Sequence, residues 1–337
     1  MPVTPEFVRS LPKAEVHVHL EGCLEAPDIE QLAREAGQKL PRPPERLFEF
    51  ANLGQFLEFL DWACALVVTA DQLARAAYRF AEREAASGVR YADLLVSPIH
   101  WTPWAGRLDD FVDAIDAGLS EAEEDGLPHV GLCISASRTQ PASETEAMVD
   151  QLVARRHPRV VALSIDGNEA ASGRTGQKFA ETFRRAAGGG LRRTVHAGES
   201  SGPEGVWDAV DLLGAERIDH GVRSIEDPAL VRELAARGIP LDVCPSSNVT
   251  LGLYPGIEEH PFERLRLAGV PVSINTDDPA LFGIRLDEDY VKVANAYGWD
   301  EDVVRSIART SIHASFCDDG TKKDLLAELD RSSTSTA

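Results

Sequence analysis

The sequence predicts an α/β fold closed as a TIM-type (β/α)8 barrel, with a helical segment inserted after the first strand. Eight short runs rich in Val, Ile and Leu are bounded by turn residues, as strands covered on both faces are. Amphipathic helical patterns lie between them, and strict alternation implies parallel pairing through right-handed crossovers. The 337 residues suit one barrel of about 250 residues plus insertions. An open doubly wound sheet is the alternative arrangement of the same units.

The strands are expected at Glu15–His19, Arg90–Val96, Val130–Ala136, Val160–Ile165, Arg193–His196, Arg217–His220, Pro240–Val243 and Val270–Asn275. The stretch from His19 to Arg90 is longer than a crossover needs. Leu40-Pro41-Arg42-Pro43-Pro44 marks a turn there, and Leu47–Val68 carries Phe48, Phe50, Phe56, Phe59 and Trp62. This segment, about residues 40–70, reads as extra helices that pack together and form a lid over part of the mouth, because loops after barrel strands build the site. Asp71–Ser87 repeats apolar residues three and four apart, with Asp71 as N-cap and Gly88 as the stop. Leu108–Glu124 and Glu144–Arg155 behave alike; Gly205–Leu213, Pro228–Arg237 and Pro261–Leu267 are shorter versions. Residues 1–330 read as a single catalytic barrel domain and 331–337, polar and small, as a disordered tail.

Composition narrows the partners. A formal charge of −21 repels polyanions unless basic residues are concentrated somewhere. Arg184-Arg185 and Arg192-Arg193 are too small for that, so neither nucleic acid nor an anionic membrane is expected as a partner. There is no apolar run of roughly 18 residues, the length of a membrane span. The start, Met1–Glu6, lacks the parts of a signal peptide. Five cysteines, Cys23, Cys64, Cys133, Cys244 and Cys317, form no C-x-x-C pair. They suit free thiols in a reducing cytoplasm. No G-x-G-x-x-G follows the first strand. Nothing in the sequence sets the oligomeric state.

Chemistry-bearing residues sit where strands end. His17 and His19 are two apart on a strand, so both imidazoles face one side and can reach one metal ion. His196 ends the fifth strand and adds a nitrogen; Asp277 ends the eighth and adds an oxygen. Three nitrogens and a carboxylate suit one zinc ion per chain with a position left for water, whose pKa zinc lowers to roughly 7. Glu199, three residues after His196, falls in the following loop as a candidate proton carrier, or as an ordinary helix-start glutamate. His220 reads as a base, as a partner to the metal ligands, or as a buried histidine bonded to backbone. Asp278 adjoins Asp277; in extended chain the two point opposite ways unless the backbone turns, and either could cap a helix instead.

The segments LPKAEVHVHLEG, HAGES, RIDHG, CPSSN and SINTDDP, in that order, resemble adenosine deaminase and its relatives in the metal-dependent amidohydrolase superfamily. The resemblance spans roughly Leu11 to Ile284, and Ser164-Ile165-Asp166-Gly167-Asn168-Glu169 is similar to the family's purine-binding turn. It implies that His17, His19, His196 and Asp277 hold zinc, with His19 also beside the substrate. It implies that Glu199 protonates N1 of the purine, that His220 orients or deprotonates the attacking water, that Asp278 hydrogen-bonds the resulting hydroxide, and that the Gly167 backbone touches the ring. The implied reaction is hydrolytic deamination of a 6-aminopurine nucleoside, adenosine or 2′-deoxyadenosine first, to inosine and ammonia.

Departures cloud the substrate end. Glu21 stands where the family's adenosine deaminases carry an Asp associated with the sugar 5′-hydroxyl. Tyr91–Pro98 lacks the usual Glu and Arg, and Asn168 replaces a common Asp. Trp101 and Trp104 could line an aromatic pocket or belong to the core. Relatives acting on adenine, N6-substituted adenine or 6-aminodeoxyfutalosine are the alternatives. An amide- or ester-cutting barrel and a non-catalytic purine-binding barrel are more remote ones.

Overall fold

The structure, a computed structural model, describes residues 3–50 and 53–334. Eight parallel strands follow one another around the sheet in chain order: β1 (Lys13–His19), β2 (Val89–Val96), β3 (His129–Ser137), β4 (Val160–Asp166), β5 (Arg192–Ala197), β6 (Arg217–His220), β7 (Leu241–Val243) and β8 (Val272–Ile274). Closure comes from a parallel bridge between Val18 and Asp277. There the His19 amide donates to the Asp277 carbonyl (2.8 Å) and the Asp277 amide to the His17 carbonyl (3.1 Å). The sheet is therefore a (β/α)8 barrel, and the open arrangement is excluded. The bond that closes it also fixes Asp277 beside His17 and His19.

Each run expected as a strand is one, with ends shifted by a few residues. The barrel interior is more polar than an aliphatic plug. Arg217 on β6 is fully buried, with its guanidinium between Asp93 of β2 and Asp242 of β7. It lies 4.0 Å above the Phe316 ring and donates to the Val16 carbonyl at 2.8 Å. A buried cation survives only when its donors are matched by acceptors, and this one has two carboxylates and a carbonyl. It sits at the start of β6, at the opposite end of that strand from His220.

Two expectations need correction. The helix after the insertion is Ala70–Ala86, and its N-cap is Thr69, not Asp71. Thr69 Oγ1 accepts from the Gln72 amide (3.2 Å) while Gln72 Oε1 accepts from the Thr69 amide (3.1 Å), a reciprocal capping box. Asp71 lies inside the first turn, where its charge favours the dipole. The expected tail from residue 331 is not a tail throughout: the helix Asp319–Thr334 runs through 331–334, and 335–337 lie outside the described residues. The buried Leu325 and Leu329 anchor this helix, and Arg305 donates to the Ser332 hydroxyl at 2.9 Å.

Between β1 and β2 the structure has helices Ala26–Glu35 and Leu53–Cys64 and a short turn at Pro44–Arg46. Phe56 stacks on Phe282, with ring centres 5.4 Å apart and planes 15° apart. Phe282 ends the helix Pro279–Phe282 just after Asp278, so the insertion packs against the loop that leaves β8. No helix among the described residues is long and apolar enough to cross a membrane. The five cysteines are buried and unpaired.

Candidate active site

Strand ends bring four donor groups together. His196 Nε2 lies 3.1 Å from His17 Nε2 and 3.1 Å from His19 Nε2. Asp277 Oδ1 is 3.4 Å from the first of these partners and 3.5 Å from the second. All four ligating atoms lie within 4.8 Å of one another. The tautomer of His17 is set by its surroundings: Nδ1–H donates to the Asp242 carbonyl at 2.9 Å, which leaves Nε2 bare. Asp277 Oδ2 accepts from the Ser247 hydroxyl at 2.7 Å, which leaves Oδ1 for the cluster. Asp219 Oδ2 stands 3.1 Å from His196 Nδ1 as an ion-pair contact. Convergent imidazole nitrogens and one carboxylate oxygen, braced from behind by carbonyl, carboxylate and hydroxyl groups, could hold a zinc-type cation. The donor set fits the metal expected from the sequence.

The backbone turns sharply at one of these donors, Asp277, and at the neighbouring His220. Asp277 has φ 68° and His220 φ 67°, a left-handed conformation that only a few per cent of non-glycine residues adopt. The turn at Asp277 resolves the difficulty of two adjacent aspartates. Asp278 is pressed against Gly22, where any Cβ would overlap the Asp278 side chain. Asp278 is the N-cap residue of the helix Pro279–Phe282 but makes no capping bond with its side chain. Burial, then the Asp277 and Glu21 carboxylates, push the Asp278 carboxyl well above the ordinary range.

Glu199 Oε1 lies 3.5 Å from His220 Nε2. Its carboxyl is pushed up to about 8 by burial first and then by the charges of Asp277 and Glu169. Although 23 % of the side chain stays accessible, the shift is toward the protonated carboxyl. His220, by contrast, is held well below its ordinary value, first of all by burial, which favours the neutral ring. Asn248 Nδ2 is 3.3 Å from His220 Nδ1, and His260 Nε2 is 3.1 Å from Asn248 Oδ1.

Glu21 is buried. Its Oε1 accepts from the Ser97 amide (2.7 Å) and the Trp101 indole (2.6 Å). Its Oε2 is enclosed with no hydrogen-bond partner among the described residues. Burial, opposed by His100, pushes the carboxyl up to about 7. Trp101 is therefore part of the wall at Glu21, whereas Trp104 donates to the Val67 carbonyl (2.9 Å) and packs on Phe111 as core. Gly167 adopts φ +94° after β4, which a side chain would strain.

Several participants carried no assignment in the sequence reading. Glu169 accepts from the amides of Gly198, Glu199, Ser200 and Ser201. It lay in a segment already singled out, as did Ser247 and Asn248, but what each touches is a tertiary fact. Asp219 lay in the RIDHG segment without a role of its own, and Asp242 in the seventh expected strand. His260, before the helix Phe262–Leu267, gave no signal at all.

Comparison with known proteins agrees with this geometry. The adenosine deaminase family model matches residues 12–332. The chain is 35% identical over 333 residues to an aminodeoxyfutalosine deaminase of Streptomyces coelicolor, covering 96% of this chain and 85% of the relative. It is 36% identical over 330 residues to an adenine deaminase of Cupriavidus metallidurans, covering 96% and 92%. Among solved structures, an adenine deaminase from Arthrobacter aurescens superimposes with a TM-score of 0.89 at 33% identity, covering 95% of this chain and 98% of that one. An amidohydrolase from Burkholderia ambifaria with bound zinc gives 0.89 at 29% identity, covering 99% and 96%. The chain belongs to the adenosine deaminase family, and is a hydrolytic deaminase acting on C–N bonds of cyclic amidines.

Proposed function

We propose that the enzyme removes the 6-amino group of a purine by zinc-dependent hydrolysis in the cytoplasm, and that free adenine is its preferred substrate. The sequence alone put adenosine first. The observation that reorders the two is the state of Glu21. One of its oxygens is tied into the wall by Ser97 and Trp101, and the other is buried without a donor. A buried acceptor left unpaired is costly, so a ligand that brings a donor is favoured. Adenine can offer its ring N–H as that donor, where a nucleoside would have to offer a sugar hydroxyl instead. The adenine deaminase relatives support the same choice. The Streptomyces relative supports a second reading, a 6-aminodeoxyfutalosine-type substrate.

His17, His19, His196 and Asp277 would hold one zinc ion, which when bound supplies a water acidic enough to attack at neutral pH. Glu199, kept protonated by burial, donates its proton to N1 and makes C6 electrophilic. His220 and Asp278 flank the attacking oxygen, and the Gly167 backbone lies against the ring. Water adds at C6, the amino group leaves as ammonia, and the 6-oxopurine remains. The insertion over the mouth would limit access of bulk water.

A panel of adenine, adenosine, 2′-deoxyadenosine, a 5′-modified adenosine and an N6-methyladenine, read by ammonia release and loss of adenine-type absorbance, tests this. Adenine is expected to lead adenosine by up to about 10²-fold in kcat/KM, the upper end of the roughly 1–3 kcal/mol that an unsatisfied buried polar group costs. Equal or better turnover of adenosine would overturn the adenine preference. No turnover of any 6-aminopurine by zinc-loaded protein would overturn the deaminase reading.

A further inference from the structure

We infer that His260 and Asn248 are positioning residues that fix the His220 imidazole with its proton on Nε2, so that His220 meets the reacting oxygen as a hydrogen-bond donor and not as a base. The chemistry of this inference rests on the deaminase reading; its geometry does not.

The polarity of the chain of contacts starts from a group with no choice. The Phe262 backbone amide donates to His260 Nδ1 at 3.2 Å, and a backbone N–H can only donate. His260 Nδ1 is therefore bare. His260 is buried, and burial with the nearby Arg264 pulls its pKa down to about 3, so the ring is neutral. A neutral imidazole has one N–H, and here it is on Nε2. That nitrogen faces Asn248 Oδ1 at 3.1 Å, which must accept. The amide orientation of Asn248 follows: its NH2 end is the one turned to His220 Nδ1, at 3.3 Å. The opposite orientation would set an NH2 group against the His260 N–H. Asn248 has no exposed surface and His220 1 %, so solvent does not loosen the relay.

His220 Nδ1 is thus an acceptor facing an NH2 group, so the ring hydrogen is on Nε2. That nitrogen points toward carboxyl oxygens, 3.5 Å from Glu199 Oε1 and 4.0 Å from Asp277 Oδ2. His17 provides the contrast. Its ring centre is only 4.5 Å from that of His220, yet its Nδ1 faces a carbonyl and must donate. Two adjacent buried imidazoles are given opposite polarity by what stands behind them: His17 shows a lone pair to the site and His220 shows a hydrogen. To act as a base through Nε2, His220 would have to move its proton to Nδ1, against the Asn248 NH2 group. The relay opposes that tautomer and the imidazolium alike. The proton lost by the water would then go to Glu199, which is a free carboxylate once it has given its own proton to N1.

The test reads the ring directly. Full-length protein with 15N-labelled histidine, zinc-loaded and zinc-free, is examined by ring 1H–15N correlation, with His220→Gln assigning the resonance among the nine histidines. The expected result is an Nε2-protonated His220 in both forms. Asn248→Asp, whose carboxylate can only accept, should switch the proton to Nδ1 and lower kcat on the order of 10²-fold, the lower range for a general acid–base group, with KM and zinc content little changed. His260→Gln, which keeps an N–H for Asn248, should retain the wild-type tautomer and most of kcat. His260→Phe, further from the reacting atoms, should mix the tautomers and lower kcat, and it serves if Asn248→Asp does not fold. An Nδ1-protonated His220 in the wild type, or an unchanged tautomer in both Asn248→Asp and His260→Phe, would overturn the inference. An Nε2-protonated ring in a protein that deaminates no purine would support the relay and sink only the deaminase reading.

Discussion

Glu169 holds Glu199 through the backbone and not through its side chain. One carboxylate, at the start of the helix Glu169–Ser172 after β4, accepts from the successive amides of Gly198, Glu199, Ser200 and Ser201 at 2.9, 3.1, 3.3 and 3.1 Å. Charge-assisted bonds to backbone N–H groups are among the stronger ones in proteins. This set spans the loop that carries the proposed proton donor.

Glu169→Gln replaces one accepting oxygen by an NH2 group facing those amides. A displacement of Glu199 by about 1 Å costs on the order of 10²-fold in rate, so kcat should fall by that order while zinc content stays at the wild-type level. Steady-state kinetics with metal analysis checks this, and amide hydrogen exchange should quicken at 198–201. Unchanged exchange there would mean the cradle does not hold the loop.

Glu199→Gln keeps the shape and removes the transferable proton. Turnover should drop by about 10²–10⁴-fold, the range for a general acid, with melting temperature and bound zinc unaltered. Substantial residual activity would remove Glu199 from the mechanism.

Chelation should abolish activity and lower the melting temperature, and added zinc should restore both. Ligand present at about 100 times its Kd stabilises a fold by about 2.7 kcal/mol. His19→Ala should cut the zinc recovered with the protein to well below one ion per chain. Full zinc occupancy in that variant would show that His19 is not a ligand.

Arg217→Met leaves Asp93 and Asp242 buried without their cation. Breaking a buried ion pair from one side costs about 3–5 kcal/mol, and chemical denaturation should show a loss of that size. Replacing all three residues with apolar ones of similar volume should recover part of it. A shift under about 1 kcal/mol would mean that the pair is poorly coupled.

Lys13 gives a stability slope at alkaline pH. Its ammonium is buried against the Val8 and Leu11 carbonyls, and burial pulls the pKa from 10.5 down to about 7. Between those values the unfolded chain holds a proton that the folded chain has released, so stability rises with pH across that window. Below about pH 7 the full penalty is present. The slope from one proton is at most about 1.4 kcal/mol per pH unit. Lys13→Met should remove this component in urea melts between pH 6 and 10; an identical slope in the variant would mean that Lys13 does not titrate there.

The barrel was legible because its strands are buried on both faces and read as continuous apolar runs, and because His17, His19, His196 and Asp277 sit at strand ends. Misjudged features were those set by competition between neighbours. Thr69 and Asp71 are both good N-caps, and the reciprocal bond with Gln72 decided for Thr69. Residues 331–334 look like a tail until Leu325 and Leu329 are seen to be buried. Arg217 falls in an expected strand with no partner assigned, and only closure of the sheet brings Asp93 and Asp242 to it.

What this sequence determined by itself was the order of elements and the kinds of donor that each strand end presents, because periodicity and residue type are local properties. What tertiary structure alone decided was orientation and protonation. A left-handed turn at Asp277 aims two neighbouring carboxylates, a carbonyl behind His17 bares one nitrogen, and a carboxamide behind His220 covers the equivalent one. Those outcomes depend on which groups meet across the barrel, at distances of a few ångströms between residues far apart in the chain.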